Sequence, residues 1–347
     1  MYNPGSNQPT NAGVRVTFFQ RKPQPAYFSI ERIFSDVRRA LAGSIDATVA
    51  VSRYPSRGIL GRLYNICEAA FRQGEVNHVT GDVHFLALLL RKKRTVLTIH
   101  DLGAVHRLNG IRRKIFIIFW LRLPIRRSAI VTVISQATRR ELLKFARVDP
   151  HKILVIYDCV SGEFQPAPKV FDPGKPVILQ VGTAPHKNLE RVAEALRGIP
   201  CCLRVIGRPD ERQTGLLEQC GIDYSAAADI PDKSMAAEYR RCDMLVFAST
   251  YEGFGLPIVE AQATGRPVVT GGLAPMSEVA GKSACLVDPF DPASIRQGIL
   301  KIINDDDYRG ELVRRGLANV ERFKAENIAA RYLDIYQRIV DRNETRL

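Results

Sequence analysis

A strand, a glycine-rich turn and a helix are predicted to follow one another between residues 244 and 265. The apolar run MLVFA at 244–248 is typical of a parallel strand that is buried on both faces. The turn EGFG at 252–255 comes next, and Pro257 stands in the first helical turn, where its missing N–H is tolerated. Gly265 and Pro267 predict the end of the helix. Such a unit is typical of α/β folds, whose ligands bind beyond the carboxyl ends of parallel strands.

Two carboxylates lie on either side of this turn. Glu252 precedes the helix and Glu260 lies inside it, about 7.5 Å along the axis from Gly255. The helix start between them offers unpaired N–H groups to an anion. A nucleotide sugar, with hydroxyls at both ends and a diphosphate in the middle, suits this layout. The alternative is a pair of glutamates without function, one of them on a solvated helix face. The intact EGFGLP turn favours the functional interpretation.

The segment EGFGLPIVE at 252–260 resembles, without a gap, the Glu-x7-Glu signature of retaining GT-B glycosyltransferases of family 4, the glycosyl transferases group 1. The resemblance implies an α/β protein with the GT-B fold, in which two Rossmann-like domains face each other across a cleft. It also implies that Glu260 holds the ribose of the donor. The residues implied to hold the donor sugar are Glu252, Gly253, Phe254, Gly255 and Leu256.

The predicted strand TVLTI at 95–99 is followed directly by His100 and Asp101. On their own, these two residues could equally form a turn or helix cap, although a histidine at a strand end can bond a sugar hydroxyl or move a proton. The sequence VLTIHDL resembles the family's inter-domain His-Asp. The resemblance implies that His100 approaches the donor sugar from the opposite domain.

The loop GTAPHKN at 182–188 follows a predicted strand and opens a helix. It can bring backbone N–H groups and the Lys187 ammonium beside a diphosphate; a solvated lysine is the alternative. In the family pattern this loop carries an arginine. Here Thr183 stands at that position and the loop is one residue shorter, so Arg208 is the candidate substitute. The donor-binding residues predicted outside the central turn are Gly182, Thr183, Asn188 and Arg208.

The formal net charge of +14 is confined to the first half of the chain. Residues 1–165 hold 26 basic and 11 acidic side chains, whereas residues 166–347 hold 24 and 25. This asymmetry predicts an anionic partner for the first half, either a membrane surface or a lipid-diphosphate acceptor, with charge for solubility as the alternative. Nucleic acid is not a predicted partner, because no nucleic-acid-binding motif is present.

Two domains are predicted, separated by the proline-rich linker SGEFQPAPKVFDPGKP at 161–176. Residues 1–165 would form an N-terminal acceptor-binding domain, on which the last helix, 326–347, packs back. Residues 170–325 would form the C-terminal donor-binding domain. The segment RRKIFIIFWLRLPIRR at 112–127 is either a buried helix or an interfacial helix that docks on anionic lipid.

A cytoplasmic location, peripheral at the inner face of the membrane, is predicted. The first residues, MYNPGSNQPTNAG, lack a signal-peptide layout and read as a disordered lead-in. The seven cysteines show no metal-ligand spacing and are expected to be reduced thiols. The acidic run DDD at 305–307 is interpreted as a helix start rather than a metal site.

These observations predict a retaining glycosyltransferase that moves a hexose from a GDP- or UDP-linked sugar to a glycan or lipid-linked saccharide in surface polysaccharide synthesis. His100, Lys187 and Glu252 are the predicted catalytic residues, and no cofactor or metal is expected. The first loop, QRKPQPAYF at 20–28, lacks the glycine pair of many relatives, so the acceptor is not specified further. The alternatives are a GT-B sugar-nucleotide epimerase, a phosphorylase or a non-catalytic sugar-nucleotide-binding protein.

Overall fold

The computed structural model describes residues 13–23 and 29–344. The predicted lead-in at 1–12, most of the first loop and the last three residues lie outside the described residues. The described chain forms two parallel six-stranded sheets with helices packed against them. The predicted α/β class with two Rossmann-like sheets is therefore confirmed.

The first sheet has the strand order β2-β1-β3-β4-β5-β6. Its strands are β1 Val14–Gln20, β2 Ile45–Val51, β3 Val76–Val79, β4 Thr95–Ile99, β5 Ile130–Val133 and β6 Ile153–Val155. The α-helices of this half are α1 Ser29–Ala40, α2 Ile59–Phe71, α3 Gly103–Arg107, α4 Gly110–Phe116, α5 Leu123–Arg126 and α6 Gln136–Phe145. Short 3₁₀ helices span His84–Leu88, Lys92–Arg94 and Pro150–Lys152, and a π-helix spans Ile117–Arg122.

The second sheet has the strand order β12-β11-β10-β7-β8-β9. Its strands are β7 Val177–Val181, β8 Cys202–Ile206, β9 Asp223–Ala227, β10 Met244–Phe247, β11 Val268–Gly271 and β12 Cys285–Val287. Short 3₁₀ helices span Pro185–Lys187 and Glu321–Phe323. The α-helices are α7 Leu189–Leu196, α8 Glu211–Gln219, α9 Asp232–Arg241, α10 Leu256–Ala263, α11 Met276–Ala280, α12 Pro292–Asn304, α13 Asp306–Val320 and α14 Ala325–Glu344.

The order of the second sheet reverses between β7 and β10, which are neighbours in space. All four residues of β10 are buried, as expected for a strand covered by helices on both faces. Ligands of doubly wound sheets bind in the crevice beyond such a reversal, because the two loops there run to opposite faces. The loops that follow β7 and β10 carry Lys187 and Glu252.

The last helix, α14, packs against the first sheet. Tyr332 and Tyr336 are buried in the same core as Phe18 of β1 and Phe34 of α1. The Tyr336 hydroxyl lies 2.7 Å from Nδ1 of His78 on β3. The chain therefore returns to its first half after completing the second sheet.

The predicted helix at 112–127 is divided into α4, the π-helix and α5. Leu121 and Ile125 are buried, but Ile115 and Phe119 are half exposed. Of the two alternatives for this segment, a buried helix describes only one side, because only the side with Leu121 and Ile125 packs into the core of the first half. No helix among the described residues is long and apolar enough to cross a membrane.

The acidic run at 305–307 begins α13, as interpreted from the sequence. The Asp305 carboxylate accepts a hydrogen bond of 2.9 Å from the Tyr308 backbone N–H, and Asp306 pairs with Arg309. These carboxylates thus satisfy donors at the start of the helix. Among residues 13–23 and 29–344, no group of three or more metal-ligating side chains could hold a metal ion.

Candidate active site

A cleft of about 1020 Å³ opens between the carboxyl edges of the two sheets. The first sheet contributes the loops after β4, β5 and β6 together with the start of α1. The second sheet contributes the loops after β7, β8, β9 and β10 and the start of α10. Its volume lies at the upper end of the range that small-molecule and cofactor sites occupy.

Gly253 lies at a close contact between the two halves of the chain. A Cβ atom at this position would lie 2.5 Å from the His100 carbonyl oxygen, so only glycine fits. The Gly253 carbonyl accepts a hydrogen bond of 2.9 Å from the Ser135 hydroxyl, which also accepts from the Thr138 backbone N–H at the start of α6. The Ser135 hydroxyl therefore caps α6 and also bonds the glycine turn across the cleft.

The glycine turn leads directly into α10. Gly255 has a φ of +111°, a region that favours glycine, and it precedes the first helical residue. Phe254 is buried against Tyr157 and Phe323 and anchors the turn. Leu256 lines the cleft. The start of α10 therefore faces the cleft with its unpaired N–H groups.

Lys187 and Glu252 form an ion pair across the two loops at the sheet reversal. The Lys187 Nζ lies 2.7 Å from Glu252 Oε1 and 4.8 Å from the centroid of the Phe247 ring. Gly182 has a φ of +92°, and a Cβ there would lie 2.8 Å from Cγ of Lys187. Gly182 thus makes room for the lysine stem, and the mostly buried ammonium is aimed at the cleft.

Glu260 is a buried carboxylate that lines the cleft and is held from two sides. Its Oε1 accepts a hydrogen bond of 2.6 Å from Arg32 on α1, and its Oε2 accepts one of 2.8 Å from the Tyr239 hydroxyl. Burial, together with the neighbouring Glu260, raises the pKa of Tyr239 well above its usual value. Sequence reasoning missed Arg32, although its position at the start of the helix after β1 is a signal that could have found it.

His100 lies at the end of β4 and faces a buried carboxylate. Its Nε2 lies 2.8 Å from the Thr80 carbonyl oxygen, which can only accept, so Nε2 carries the proton. Its Nδ1 lies 3.8 Å from Oδ1 of Asp158, which also lines the cleft. Burial raises the pKa of Asp158 to about 6, although His100 opposes this shift. Sequence reasoning missed Asp158, which follows β6 closely and could have been found by that position.

Three of the predicted donor-binding residues lie at the margin of the site or behind it. Asn188 is buried, and its amide donates to the carbonyls of Ala248 and Pro289 at 2.9 and 2.6 Å. The Thr183 hydroxyl donates to the Arg208 carbonyl at 3.1 Å. Arg208 itself lines the cleft but is exposed, and it pairs with Asp229. Asn188 and Thr183 thus support the loops that line the cleft.

The geometry combines two carboxylates with two cations around one helix start. Hydroxyl groups can bond the carboxylates of Glu252 and Glu260, and a diphosphate can lie near Lys187 and the backbone N–H groups of α10. Both cations, Lys187 and Arg32, are paired with the carboxylates in this structure. A ligand that carries both kinds of group would therefore compete with these two ion pairs.

Two family models match consecutive parts of the chain. The model of Glycosyltransferase Family 4 matches residues 12–163, and the model of Glycosyl transferases group 1 matches residues 162–318. Both matches agree with the two sheets described above. The chain belongs to the GT-B glycosyltransferases of family 4.

Curated relatives of this chain include the O-antigen chain mannosyltransferase B of Escherichia coli, which is 36% identical over 108 residues. The match covers 31% of this chain and 28% of the relative. The serotype-specific mannosyltransferase WbdA of Escherichia coli is 25% identical over 242 residues, 63% of this chain and 30% of the relative. The chain thus spans less than a third of the length of these relatives.

A solved structure supports the fold. Anabaena Alr3699/HepE in complex with UDP and glucose superposes on this chain with a TM-score of 0.74 and 16% identity. The superposition covers 93% of this chain and 99% of that one. At this identity the likeness shows the GT-B fold alone, so the substrate is inferred from the chemistry of the cleft.

Proposed function

We propose that this chain is a retaining hexosyltransferase that moves a hexose from a nucleotide sugar to a glycan or lipid-linked saccharide in surface polysaccharide synthesis. The observation that carries the proposal is the convergence of the Lys187–Glu252 pair and Glu260 around the start of α10, opposite His100. The names of the two Escherichia coli relatives favour mannose. GDP- and UDP-linked hexoses are therefore the donors to test first.

The donor would lie along the glycine turn. Glu260 would accept hydrogen bonds from the ribose hydroxyls, and Glu252 would accept them from the sugar. The backbone from Gly253 to Leu256 would bond the sugar, and the start of α10 would face the diphosphate. Gly182 and Arg208 would border the diphosphate and the base, while Thr183 and Asn188 would hold the loops in place.

Lys187 would stabilise the leaving diphosphate. The bond between the anomeric carbon and the phosphate oxygen breaks, and the electron pair stays on that oxygen. The acceptor hydroxyl attacks the same face of the sugar, forms the new carbon–oxygen bond and gives its proton to the departing phosphate oxygen. His100 would bond a hydroxyl of the sugar and keep it aligned. We propose that this reaction needs no metal and no cofactor, because cationic groups of the chain stabilise the phosphate charge.

The excess of basic residues in the first half suits an acceptor at an anionic membrane. We propose that the enzyme works in the cytoplasm, where cysteines such as its seven free thiols stay reduced, and that it lies at the inner face of the membrane. A lipid-linked saccharide would then be presented to the cleft from the bilayer.

Calorimetry with UDP, GDP, ADP and dTDP tests the donor site directly. One nucleotide should bind the wild type, and Glu260→Ala should lose that binding because it removes the ribose acceptor. Glu194→Ala, on an exposed face of α7, is the matched control and should bind as the wild type does. Binding that survives in Glu260→Ala would contradict the assignment of this carboxylate.

Transfer is then measured with the matching GDP- or UDP-hexose. Glu252→Ala should abolish it, and wild-type turnover in that variant would exclude the proposed sugar site. Turnover without any acceptor would indicate an epimerase, and a strict need for free phosphate would indicate a phosphorylase. Binding without any transfer to extracted lipid-linked saccharides would indicate a non-catalytic protein.

A further inference from the structure

Helix α2 exposes one apolar side to solvent. Ile59 and Leu60 are 75% and 83% exposed, and Leu63 and Tyr64 lie one turn further along the same side. The opposite side of the helix carries buried residues such as Asn65 and Ala69. A helix of a globular domain normally turns its apolar side to the core, so a second apolar side indicates another contact.

The segment formed by α4 and the π-helix exposes a similar side. Ile111 is 69% exposed, and Ile115, Ile118 and Phe119 follow at intervals of about one turn. The other side of the segment packs on the domain through Leu121. The segment is therefore amphipathic, although its sequence alone reads as a continuous apolar run between basic flanks.

The two helices adjoin each other. The Arg62 guanidinium of α2 lies over the Trp120 ring of the π-helix, 4.6 Å from its centroid. Trp120 in turn packs against Phe85 and stacks on Phe116 of α4. We call the eight exposed residues of these two helices the apolar face: Ile59, Leu60, Leu63, Tyr64, Ile111, Ile115, Ile118 and Phe119.

Basic residues predominate in both sequence segments that form the apolar face, and the one acidic residue of the helices that carry it, Glu68 of α2, pairs with Arg72. Nine arginines and lysines and no acidic residue lie between Asp101 and Glu141. Three arginines and no acidic residue lie between Asp46 and Glu68. Arg112, Lys114 and the π-helix residue Arg122 are exposed beside the apolar side chains.

We propose that the apolar face docks on an anionic phospholipid bilayer. Its aliphatic and aromatic side chains would enter the headgroup and acyl boundary, and the surrounding cations would bind lipid phosphates. A second copy of this chain is a poorer occupant, since self-association would bring two positively charged surfaces together. The combination of apolar and basic groups fits the chemistry of anionic lipid.

The apolar face is connected to the cleft through α3 and α4. Helix α3 follows directly after His100 and Asp101 of the cleft and leads into α4. A bilayer at the apolar face would therefore lie on the acceptor side of the cleft. The inference rests on the proposed function for its lipid-linked acceptor, but vesicle binding can be measured without any transfer.

Co-sedimentation of the full chain with vesicles tests the proposal. The wild type should bind vesicles of phosphatidylcholine mixed with phosphatidylglycerol at least about tenfold more tightly than vesicles of phosphatidylcholine alone. Its affinity for the mixed vesicles should fall as the salt concentration rises. The double variant Ile115→Glu/Phe119→Glu should bind the mixed vesicles about tenfold or more weakly, because two apolar side chains are replaced by anions. The double variant Ile59→Glu/Leu60→Glu, at even more exposed positions, should behave alike.

Val170→Glu is the matched control, since Val170 is 91% exposed and lies outside the apolar face. It should keep wild-type vesicle binding. All variants should keep the nucleotide binding of the wild type, which separates this test from that of the donor site. A wild type that does not bind mixed vesicles, or both face variants binding as well as the control, would overturn the proposal. Face variants that change the oligomeric state without vesicles would instead assign the face to a second copy.

Discussion

Arg32 and Glu260, 228 residues apart in sequence, join the two halves of the chain through a hydrogen-bonded ion pair of 2.6 Å. Both side chains are largely buried, and Arg32 also lies over the ring of Phe164, 5.6 Å from its centroid. The carboxylate expected to hold the ribose is thus already bonded to the opposite domain. A donor whose ribose bonds Glu260, as proposed above, would share or replace this contact.

The Arg32–Glu260 pair should couple the two domains energetically. Arg32→Ala leaves the buried Glu260 without its cation, so we expect a loss of stability of about 3 kcal/mol. A double-mutant cycle of Arg32→Ala and Glu260→Gln, followed by thermal or denaturant unfolding, should give a coupling energy of about 1–3 kcal/mol. The exposed pair of Arg338 and Asp334 on α14 is the control and should couple by less than about 1 kcal/mol. Equal coupling in the two pairs would contradict this account.

Lys187→Ala should lower kcat for transfer by about 10²–10³-fold, since it removes a positioned cation from the leaving diphosphate. Steady-state kinetics with the donor identified by calorimetry measure this effect. Lys175→Ala breaks the exposed ion pair between Lys175 and Asp223 at the far edge of the second sheet and should leave kcat unchanged. If Lys187→Ala keeps the wild-type kcat, the only role of this lysine is to hold Glu252 in place.

Gly253→Ala should impair transfer strongly without unfolding either sheet. The added methyl group would lie 2.5 Å from the His100 carbonyl oxygen and push the glycine turn away from the first domain. We expect kcat/KM to fall by about tenfold or more, because reacting groups would be misplaced. Gly310→Ala on α13 is the control: a Cβ there meets no atom within 4 Å, so stability should rise by about 0.5–1 kcal/mol at unchanged activity. Normal kcat/KM in Gly253→Ala would show that the turn can shift freely.

Asp158 should make stability depend on pH. Its pKa is raised by burial to about 6 from 3.8, so the folded state favours the protonated carboxyl. This contribution to the free energy of unfolding amounts to at most about 3 kcal/mol. It is fully present below about pH 4 and is lost as the pH rises through about 6. Asp158→Asn mimics the protonated group and should therefore gain stability over the wild type between pH 4 and pH 8.

The melting temperatures of the wild type and of Asp158→Asn, each at about pH 4 and about pH 8, measure this contribution. Asp46→Asn, at an exposed position of β2, is the control and should differ from the wild type by the same amount at both pH values. If the melting temperature of Asp158→Asn also differs from that of the wild type by the same amount at both pH values, the buried carboxyl does not titrate in this range. Asp158 lies 3.8 Å from Nδ1 of His100.

Local sequence was sufficient to predict β10 and the central turn that follows it. The apolar run of β10, the glycines of the turn and Pro257 all act within a few residues, so their consequences appear in the sequence itself. The fold class and the positions of Lys187, Glu252 and Glu260 beside one cleft follow from loops at the carboxyl ends of parallel strands. The resemblance to the family added the GT-B arrangement of the two halves.

Only the tertiary structure decided which distant side chains meet. Arg32 reaches Glu260 because the two sheets face each other. Asp158 reaches His100 because β4 and β6 end at the same edge of the first sheet, and no pattern within a few residues encodes either approach. The same holds for Asn188, which the loop pattern places near a donor but which packing assigns to two backbone carbonyls. Side-chain periodicity determines which residues can share a face, whereas the packing of one domain on another determines what each face contacts.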